Sequence, residues 1–352
     1  MSLTQNRVTL RPGLLRTRHW SLRFAPRAVL VCSALLALAA VTTVFAVGTG
    51  TYQLSPLDVV RTFAGNGPPG AEFIVLDLRL PRALVAVLVG FGMGMAGAVF
   101  QSLTRNPLGS PDITGFGNGA SAGALVAIIL FDAGDAQIAI GAVCGGFATA
   151  VAVYLLAWKR GVHGYRLILV GIGASAVLGS ATSFLYVRAD IGKAAQAASW
   201  MIGSLNARDW GDVRIAALGL VLLGPVVLGC ARRLTMLEMG DDTAAALGVP
   251  PERSRLVLLC AGTGLTAMAV AAAGPIPFVA MAAPQLARRI TRAPGPNVLP
   301  AAWTGALLVC AADLVTQRVT GSALLPVGVV TGVAGGAYLA WLLRAERRAG
   351  RV

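Results

Sequence analysis

Two arginines, Arg79 and Arg82, stand three residues apart, directly before an uncharged run over residues 83–103. A guanidinium group can donate two parallel hydrogen bonds to a carboxylate, and paired guanidinium groups attract and orient an acidic partner. The pair therefore indicates a docking point for carboxylates of another protein. The alternative is that both side chains anchor a helix end at a membrane surface, with their charged heads in water.

A polar segment broken by proline and glycine follows that run. It contains Gln101, Asn106, Pro107 and Asn118, and Gln285 lies in a later apolar window. Amide side chains of this kind could line or gate a translocation path without adding a fixed charge. They could equally form the hydrogen bonds that hold membrane helices together. Both interpretations stay open for each of these residues.

The segment of residues 232–255 predicts a miniature helix with a signal at each end. Asp241 or Asp242 could accept hydrogen bonds from the first free amides, and Gly248 suits a left-handed ending after the run 243–247. A helix this short is not stable alone in water. It is interpreted as a docking element for a cytoplasmic motor subunit. A capped surface loop is the alternative.

Several reaction types find no support in the sequence. There is no G-x-x-x-x-G-K-[ST] loop for ATP, no G-x-S-x-G elbow and no H-E-x-x-H pair. The two histidines and five cysteines show no metal-ligand spacing. We predict no catalytic residue, no metal site and no cofactor held by this chain. An integral membrane enzyme is therefore disfavoured.

The distribution of charged residues argues against two further classes of protein, nucleic-acid-binding proteins and ion-coupled carriers. The net charge is +14, but the basic residues form short clusters between apolar runs without interleaved aromatics, which argues against nucleic-acid binding. An ion-coupled carrier usually keeps a carboxylate or histidine within the membrane. The candidate is Asp313, near the outer end of its window, where Arg318 or water is its expected partner. An ion-coupled secondary transporter is therefore a weak alternative.

Composition predicts a multi-span membrane protein. Of the 352 residues, 56% are hydrophobic and only 12% are charged, and 43 glycines favour close helix packing. The first apolar run is too long for a cleaved signal peptide and is predicted to remain as a span. All spans are predicted to be helices, because a lipid-exposed backbone must satisfy its own hydrogen bonds. There are about ten apolar windows: 28–48, 83–103, 113–131, 137–158, 166–187, 211–231, 255–273, 275–290, 299–317 and 326–343.

Charge asymmetry gives the orientation. With both termini in the cytoplasm, ten spans place 21 of the 29 basic residues on the cytoplasmic side. Arg79, Arg82 and Arg318 are then exceptions on the outer side. No linker divides the chain, so we expect a basic cytoplasmic segment (1–27), one transmembrane domain (28–345) that includes the loop 232–255, and a cytoplasmic tail (346–352).

The chain resembles the FecCD family, the iron-siderophore and vitamin B12 permease subunits of bacterial ABC importers. The resemblance extends over about residues 30–345, and its pieces occur in the family's order. They are Leu78–Arg82, Gln101–Pro111, Gly115 with Asn118–Ala120, Trp200–Ser204, Leu247–Val249, Gly274–Val279, Pro284, Ala312–Asp313 and Leu325–Gly328.

The resemblance implies roles for the residues named above. Arg79, Arg82 and Arg318 would meet acidic residues of an extracytoplasmic binding protein. The translocation path or gate that the polar residues themselves suggest would comprise Gln101, Asn106, Pro107, Asn118 and Gln285. The coupling contact with the ATPase would involve Glu238, Gly240, Asp241, Asp242, Ala246, Leu247, Gly248 and Val249.

Two positions depart from the family pattern. Many members carry histidine after the proline that matches Pro284, where this chain has Gln285. That variant is most similar to the ferric-enterobactin permease branch, in which two different permeases pair. Many members also place an outer arginine at the position of Gln317, and Arg318 is its neighbour here.

The resemblance implies an all-α permease with the fold of type II ABC importers, placed in a bacterial cytoplasmic membrane. It would translocate a ferric siderophore, with a catecholate such as enterobactin favoured. Its partners would be membrane lipid, a second permease (a heterodimer favoured over a homodimer), two ATPase subunits that bind ATP and magnesium, and a siderophore-binding protein. A vitamin B12 or haem permease of the same family is the alternative.

Overall fold

The computed structural model describes residues 13–16, 21–24, 26–50, 52–159, 164–319 and 325–348. Parts of the predicted N-terminal segment and C-terminal tail lie outside these residues. Ahead of the first helix, strands β1 (Gly13–Arg16) and β2 (Ser21–Phe24) pair antiparallel. Elsewhere in the described chain the regular elements are helices, which confirms the all-α prediction for the membrane domain.

Each of the ten predicted windows contains a helix. In chain order these are α1 (Pro26–Gly48), α4 (Leu80–Thr104), α5 (Phe116–Phe131), α6 (Asp135–Ala157), α7 (Gly164–Arg188), α9 (Trp210–Gly229), α12 (Pro251–Ala273), α13 (Val279–Thr291), α14 (Val298–Val319) and α15 (Val327–Arg348). Shorter helices join them: α2 (Pro56–Phe63), α3 (Ala71–Phe73), α8 (Ile191–Met201), α10 (Ala231–Glu238) and α11 (Asp241–Ala246). Helix α15 extends beyond the predicted domain boundary at residue 345.

Seven helices within the described residues are long and apolar enough to cross a membrane, and α5 and α15 supply shorter apolar segments. Helix α13 has 13 residues, or about 20 Å at 1.5 Å per residue, less than a bilayer core. The predicted window began at residue 275, but residues 274–278 are not helical. Pro275 and Pro277 and the left-handed Phe278 (φ 68°) explain the late start.

The helical path into α4 begins earlier than predicted. Helix α3, a π-helical turn (Ile74–Arg79) and α4 follow one another without a break, so that Ala71–Thr104 is one helical stretch of 34 residues. Arg79 and Arg82 therefore lie within the helix and not in a loop before it. Their side chains are held at fixed positions along the outer end of the helical stretch.

Helix α4 lies at the centre of the domain, and most of its residues are buried. A Cβ atom on Gly94 would overlap the Ala301 carbonyl of α14, and one on Gly97 would overlap the Ala280 carbonyl of α13. Helices α5 and α6 approach in the same way at Gly123 and Gly141. Backbone-to-backbone packing through small residues thus forms the core, as the glycine content predicted.

Candidate functional site

On the outer side, Arg82 is paired with a buried carboxylate. Its Nη2 and Nε donate to Oδ1 of Asp313 at 2.7 and 3.1 Å, and Gln317 Nε2 donates to Oδ2 at 2.8 Å. Asp313 is 1% exposed, whereas Arg82 keeps a fifth of its side-chain surface accessible. The expectation that Asp313 pairs with Arg318 or water was wrong. Arg82 instead joins α4 to α14.

Arg79 is engaged with the backbone. Its Nη1 donates to the carbonyl of Val47 at the end of α1, at 2.9 Å, and its Nη2 donates to Tyr52 O at 2.8 Å. The guanidinium group is half-buried. Arg79 therefore fixes the segment that follows α1 against the helical path into α4.

Arg318 is exposed at the outer end of α14. Together with Gln317 it borders a cleft of about 520 Å³, whose opposite wall comes from residues that follow α1, among them Gln53 and Pro56. Of the three arginines predicted for docking, Arg318 is the most accessible to an incoming carboxylate. The docking role of all three stays a prediction.

On the cytoplasmic side, residues 231–250 consist of α10, α11 and the turn after α11. They are named the coupling segment after the ATPase contact predicted for them. The end of α11 matches the prediction: Gly248 is left-handed (φ 80°), Val249 N donates to Ala244 O, and Gly248 N donates to Ala245 O. This double hydrogen bond is a Schellman ending. The turn directs the chain from α11 into α12.

The predicted capping at the start of α11 is wrong. Gly240 precedes the helix with φ 120°, and no side chain caps the first amides. The Asp241 carboxylate instead accepts hydrogen bonds from Arg255 Nη2 at 2.8 and 2.9 Å and from Arg105 Nη2 at 2.6 Å. Two guanidinium groups compete successfully for the oxygens, because charge-assisted hydrogen bonds are stronger than neutral ones.

The electrostatics of Asp241 follow from this geometry. Burial alone would raise its pKa, but the hydrogen bonds and positive charges of Arg255 and Arg105 hold the pKa below the ordinary aspartate value. The carboxylate is therefore ionised at neutral pH. Glu238 makes a second contact nearby, where it accepts a hydrogen bond from Ser102 Oγ of α4 at 2.5 Å.

The coupling segment also presents apolar side chains to the cytoplasmic side. Met239 is 64% exposed and Leu247 is 55% exposed, and Asp242, Ala246 and Gly248 beside them are exposed as well. Val249 is buried. Exposed large apolar residues on a short capped helix fit a surface that another protein covers.

The two glutamines predicted for the path connect helices. Gln101 is buried, donates to Met281 O of α13 at 2.9 Å, and accepts a short hydrogen bond from Arg288. Gln285 donates to Pro107 O at 2.6 Å and accepts from the Tyr338 hydroxyl at 3.4 Å. These contacts join α13 to α4, to the loop after α4 and to α15. The predicted gate would lie between these helices.

The remaining predicted path residues lie nearer the surface. The Asn106 carboxamide oxygen accepts from Leu108 N at 2.8 Å and so shapes the turn after α4. Pro107 and Asn118 are exposed. The structure therefore brings Gln285 and Pro107 together, and it places Asn118 apart on α5.

Sequence reasoning missed the basic partners of the coupling segment. Arg105 directly follows α4 and Arg255 lies one turn inside α12, but each was counted only as one of the cytoplasmic basic residues. An arginine one turn inside an apolar helix, as Arg255 is, signals a buried partner. The sequence also did not indicate the exposed face of α7. Only 11% of the apolar window of this helix is buried, and small or polar residues such as Gly173, Gly179, Ser180 and Ser183 are exposed.

Comparison with known proteins identifies the family. The FecCD transport family matches residues 36–345, nearly the whole length of the domain described above. The chain belongs to the FecCD transport family. It is a multi-pass membrane protein of that family, and the family match includes both the outer arginines and the coupling segment.

Two curated relatives show how far the similarity extends. The ferric enterobactin transport system permease protein FepG of Escherichia coli is 42% identical over 322 residues, which cover 92% of this chain and 98% of FepG. The achromobactin transport system permease protein CbrC of Dickeya dadantii is 36% identical and covers 90% of this chain and 91% of CbrC.

A solved structure agrees with the fold. An inward-facing structure of a metal-chelate type ABC transporter matches with a TM-score of 0.80 and 28% identity. The match covers 90% of this chain and 99% of that one. The arrangement of helices α1 to α15 is thus that of a type II ABC importer permease.

Proposed function

We propose that this chain is the permease subunit of an ABC importer that carries a ferric siderophore into the cytoplasm of a bacterium. The observation that carries the proposal is the 42% identity with a ferric enterobactin permease over almost the full length of both chains. Similarity at this level over almost the full length of both chains supports the same kind of cargo. A catecholate siderophore is therefore the first candidate.

The sequence and the geometry support a translocation path whose transport is driven by other subunits. No phosphate-binding loop occurs in the sequence, so the energy would come from ATPase subunits that bind ATP and magnesium. In the coupling segment, Met239 at the end of α10 and Leu247 at the end of α11 are exposed and could contact these ATPases. The buried glutamines Gln101 and Gln285 join helices near the cytoplasmic end, where a gate would close.

The proposed assembly contains four other chains. A second permease would cover the exposed face of α7, and a heterodimer is favoured because Gln285 replaces the histidine common in the family. Two ATPases would bind the coupling segments. A siderophore-binding protein would dock on the outer side, where Arg318 is exposed beside its cleft.

Reconstitution tests this function. The chain is purified with its partner permease and ATPases, placed in liposomes, and given radiolabelled ferric enterobactin with its binding protein. We expect uptake that requires ATP inside the liposome. Uptake of vitamin B12 or haem instead would reassign the cargo, and uptake that needs a proton gradient but no ATPase would identify a secondary transporter.

A further inference from the structure

We propose that Asp241 is a positioning residue that fastens the coupling segment to both α4 and α12, so that displacement of the segment moves these two membrane helices together. The inference rests on the proposed function, since it assumes that an ATPase displaces the segment. The inference concerns how a displacement of the coupling segment is transmitted to the membrane helices. The contacts of Asp241 determine which helices move with the segment.

The contact with α12 is an ion pair between a buried arginine and a half-buried aspartate. Arg255 is 4% exposed, lies in the second turn of α12, and donates two hydrogen bonds from Nη2 to the Asp241 carboxylate. Its Nη1 donates to Glu252 Oε1 of the same helix at 2.8 Å. A buried guanidinium that loses its carboxylate is strongly destabilised, so this connection resists separation.

The contact with α4 involves the end of that helix. Arg105 terminates α4 in a left-handed conformation (φ 51°). Its Nε donates to Leu237 O at 3.0 Å, and its Nη2 donates to Asp241 Oδ1 at 2.6 Å. The guanidinium therefore holds α10 through a carbonyl and α11 through a carboxylate. The bond between Ser102 and Glu238 adds a second attachment to α4.

Asp241 is the point where the two connections meet. Oδ1 accepts from both Arg105 and Arg255, while Oδ2 accepts from Arg255 alone. Helix α11 has six residues and cannot hold its own position in solution. Removing the charge of Asp241 therefore weakens both links, while the covalent chain still joins α11 to its neighbours.

The two receiving helices belong to the core. Helix α4 is in backbone contact with α14 at Gly94 and with α13 at Gly97. Close-packed backbones shift as a unit and do not deform locally. A displacement that reaches Arg105 is therefore passed to α13 and α14, which carry Gln285 and Asp313.

Hydrogen exchange on the complete transporter tests the proposal without requiring a known cargo. The complex is placed in lipid nanodiscs, and amide exchange is compared with and without vanadate-trapped nucleotide. In the wild type we expect trapping to change exchange in three stretches: 237–249, 101–106 and 252–258. In Asp241→Asn the change should remain in 237–249 and be reduced in the other two stretches.

A neighbouring arginine supplies the matched control. Arg253 lies two residues from Arg255 and is exposed, so Arg253→Gln should respond as the wild type does. Asp241→Glu retains the charge and should restore part of the response, which a purely steric role for Asp241 would not predict. A full response at 101–106 and 252–258 in Asp241→Asn would overturn the proposal.

A second variant covers the case in which Asp241→Asn does not assemble. The Arg105 side chain is 45% exposed, so Arg105→Gln should fold. It should reduce the response at 101–106, where the bond between Ser102 and Glu238 still remains, and keep the response at 252–258. An unchanged response at 101–106 would contradict the proposal. If the wild-type chain fails to bind ATPases at all, the proposed function fails, and this inference fails with it.

Discussion

Arg82 Nη2 lies 2.7 Å from Asp313 Oδ1, an ion pair between residues 231 positions apart that joins α4 to α14 at the outer side. Because Asp313 is 1% exposed, its carboxylate is shielded from water and is held by hydrogen bonds from Arg82 and Gln317. An acidic group from a docking protein would have to compete with Asp313 for Arg82. The pair therefore acts first as a link between helices, and Arg318 is the better placed of the two for docking.

Replacing Arg82 tests that link. Arg82→Gln leaves a buried carboxylate with one amide partner, which should lower the free energy of unfolding by about 3 kcal/mol, the low end for breaking a buried pair. Thermal unfolding in detergent measures the change. Arg61→Gln is the control, since Arg61 is 57% exposed on the same side and its pair with Asp58 is weak. Equal stability of the two variants would show that the link contributes nothing.

Reversing the charge of Arg318 tests docking. Arg318→Glu should reduce the association rate of the binding protein by about tenfold at low salt, with a smaller effect at high salt, because steering between exposed charges is screened. Surface-immobilised transporter and real-time binding measure the rate. The fold should be unaffected. The same association rate as the wild type at low salt would remove Arg318 from the docking surface.

The turn after α11 gives a backbone test. Gly248 has φ 80°, and no neighbouring atom would contact an added Cβ. Gly248→Val should therefore cost about 1–2 kcal/mol through the backbone conformation alone and reduce the uptake obtained per ATP hydrolysed. Gly248→Asn tolerates the left-handed conformation and should retain most of the coupling. If the valine variant takes up cargo with normal stoichiometry, the shape of this turn does not matter for coupling.

The lowered pKa of Asp241 predicts how the coupling segment responds to pH. A carboxylate with a depressed folded-state pKa contributes stability above its ordinary pKa of 3.8 and loses it as pH falls through the lower folded value. Amide protection of residues 237–249, corrected for intrinsic exchange, should therefore stay constant between about pH 5 and about pH 8. Asp241→Asn should show reduced protection throughout that range. A loss of wild-type protection within it would contradict the assigned ion pairs.

The sequence predicted those features of the fold that depend on residues close together along the chain, such as helices and their ends. Each of the ten apolar windows contains a helix, and the glycine at position 248 located the end of α11 through its own conformational preference. Window 275–290 started too early, because Pro275, Pro277 and the left-handed Phe278 delay α13 within an apolar stretch. Apolar composition alone does not distinguish helix from buried irregular backbone.

The sequence could not predict pairs that only the tertiary fold creates. Arg105 donates a hydrogen bond to Asp241, which lies 136 positions away in the sequence. The Asp241 carboxylate therefore binds two guanidinium groups and does not cap the start of α11, which was the role expected for it. In the same way, Asp313 was assigned to its neighbour Arg318, while the helix packing supplied Arg82. Sequence patterns predict a partner that is close along the chain. In the folded protein, a buried charge pairs with the strongest partner that the tertiary structure brings close.

The proposed permease moves a ferric siderophore using ATP hydrolysed by partner subunits. Uptake of radiolabelled ferric enterobactin by liposomes that contain the chain, its partner permease and its ATPases tests this function most directly. We expect uptake that needs the binding protein and internal ATP and stops when the ATPases are inactivated by vanadate. Uptake that continues without ATPase activity, or no uptake of any ferric siderophore in an assembled complex, would contradict it.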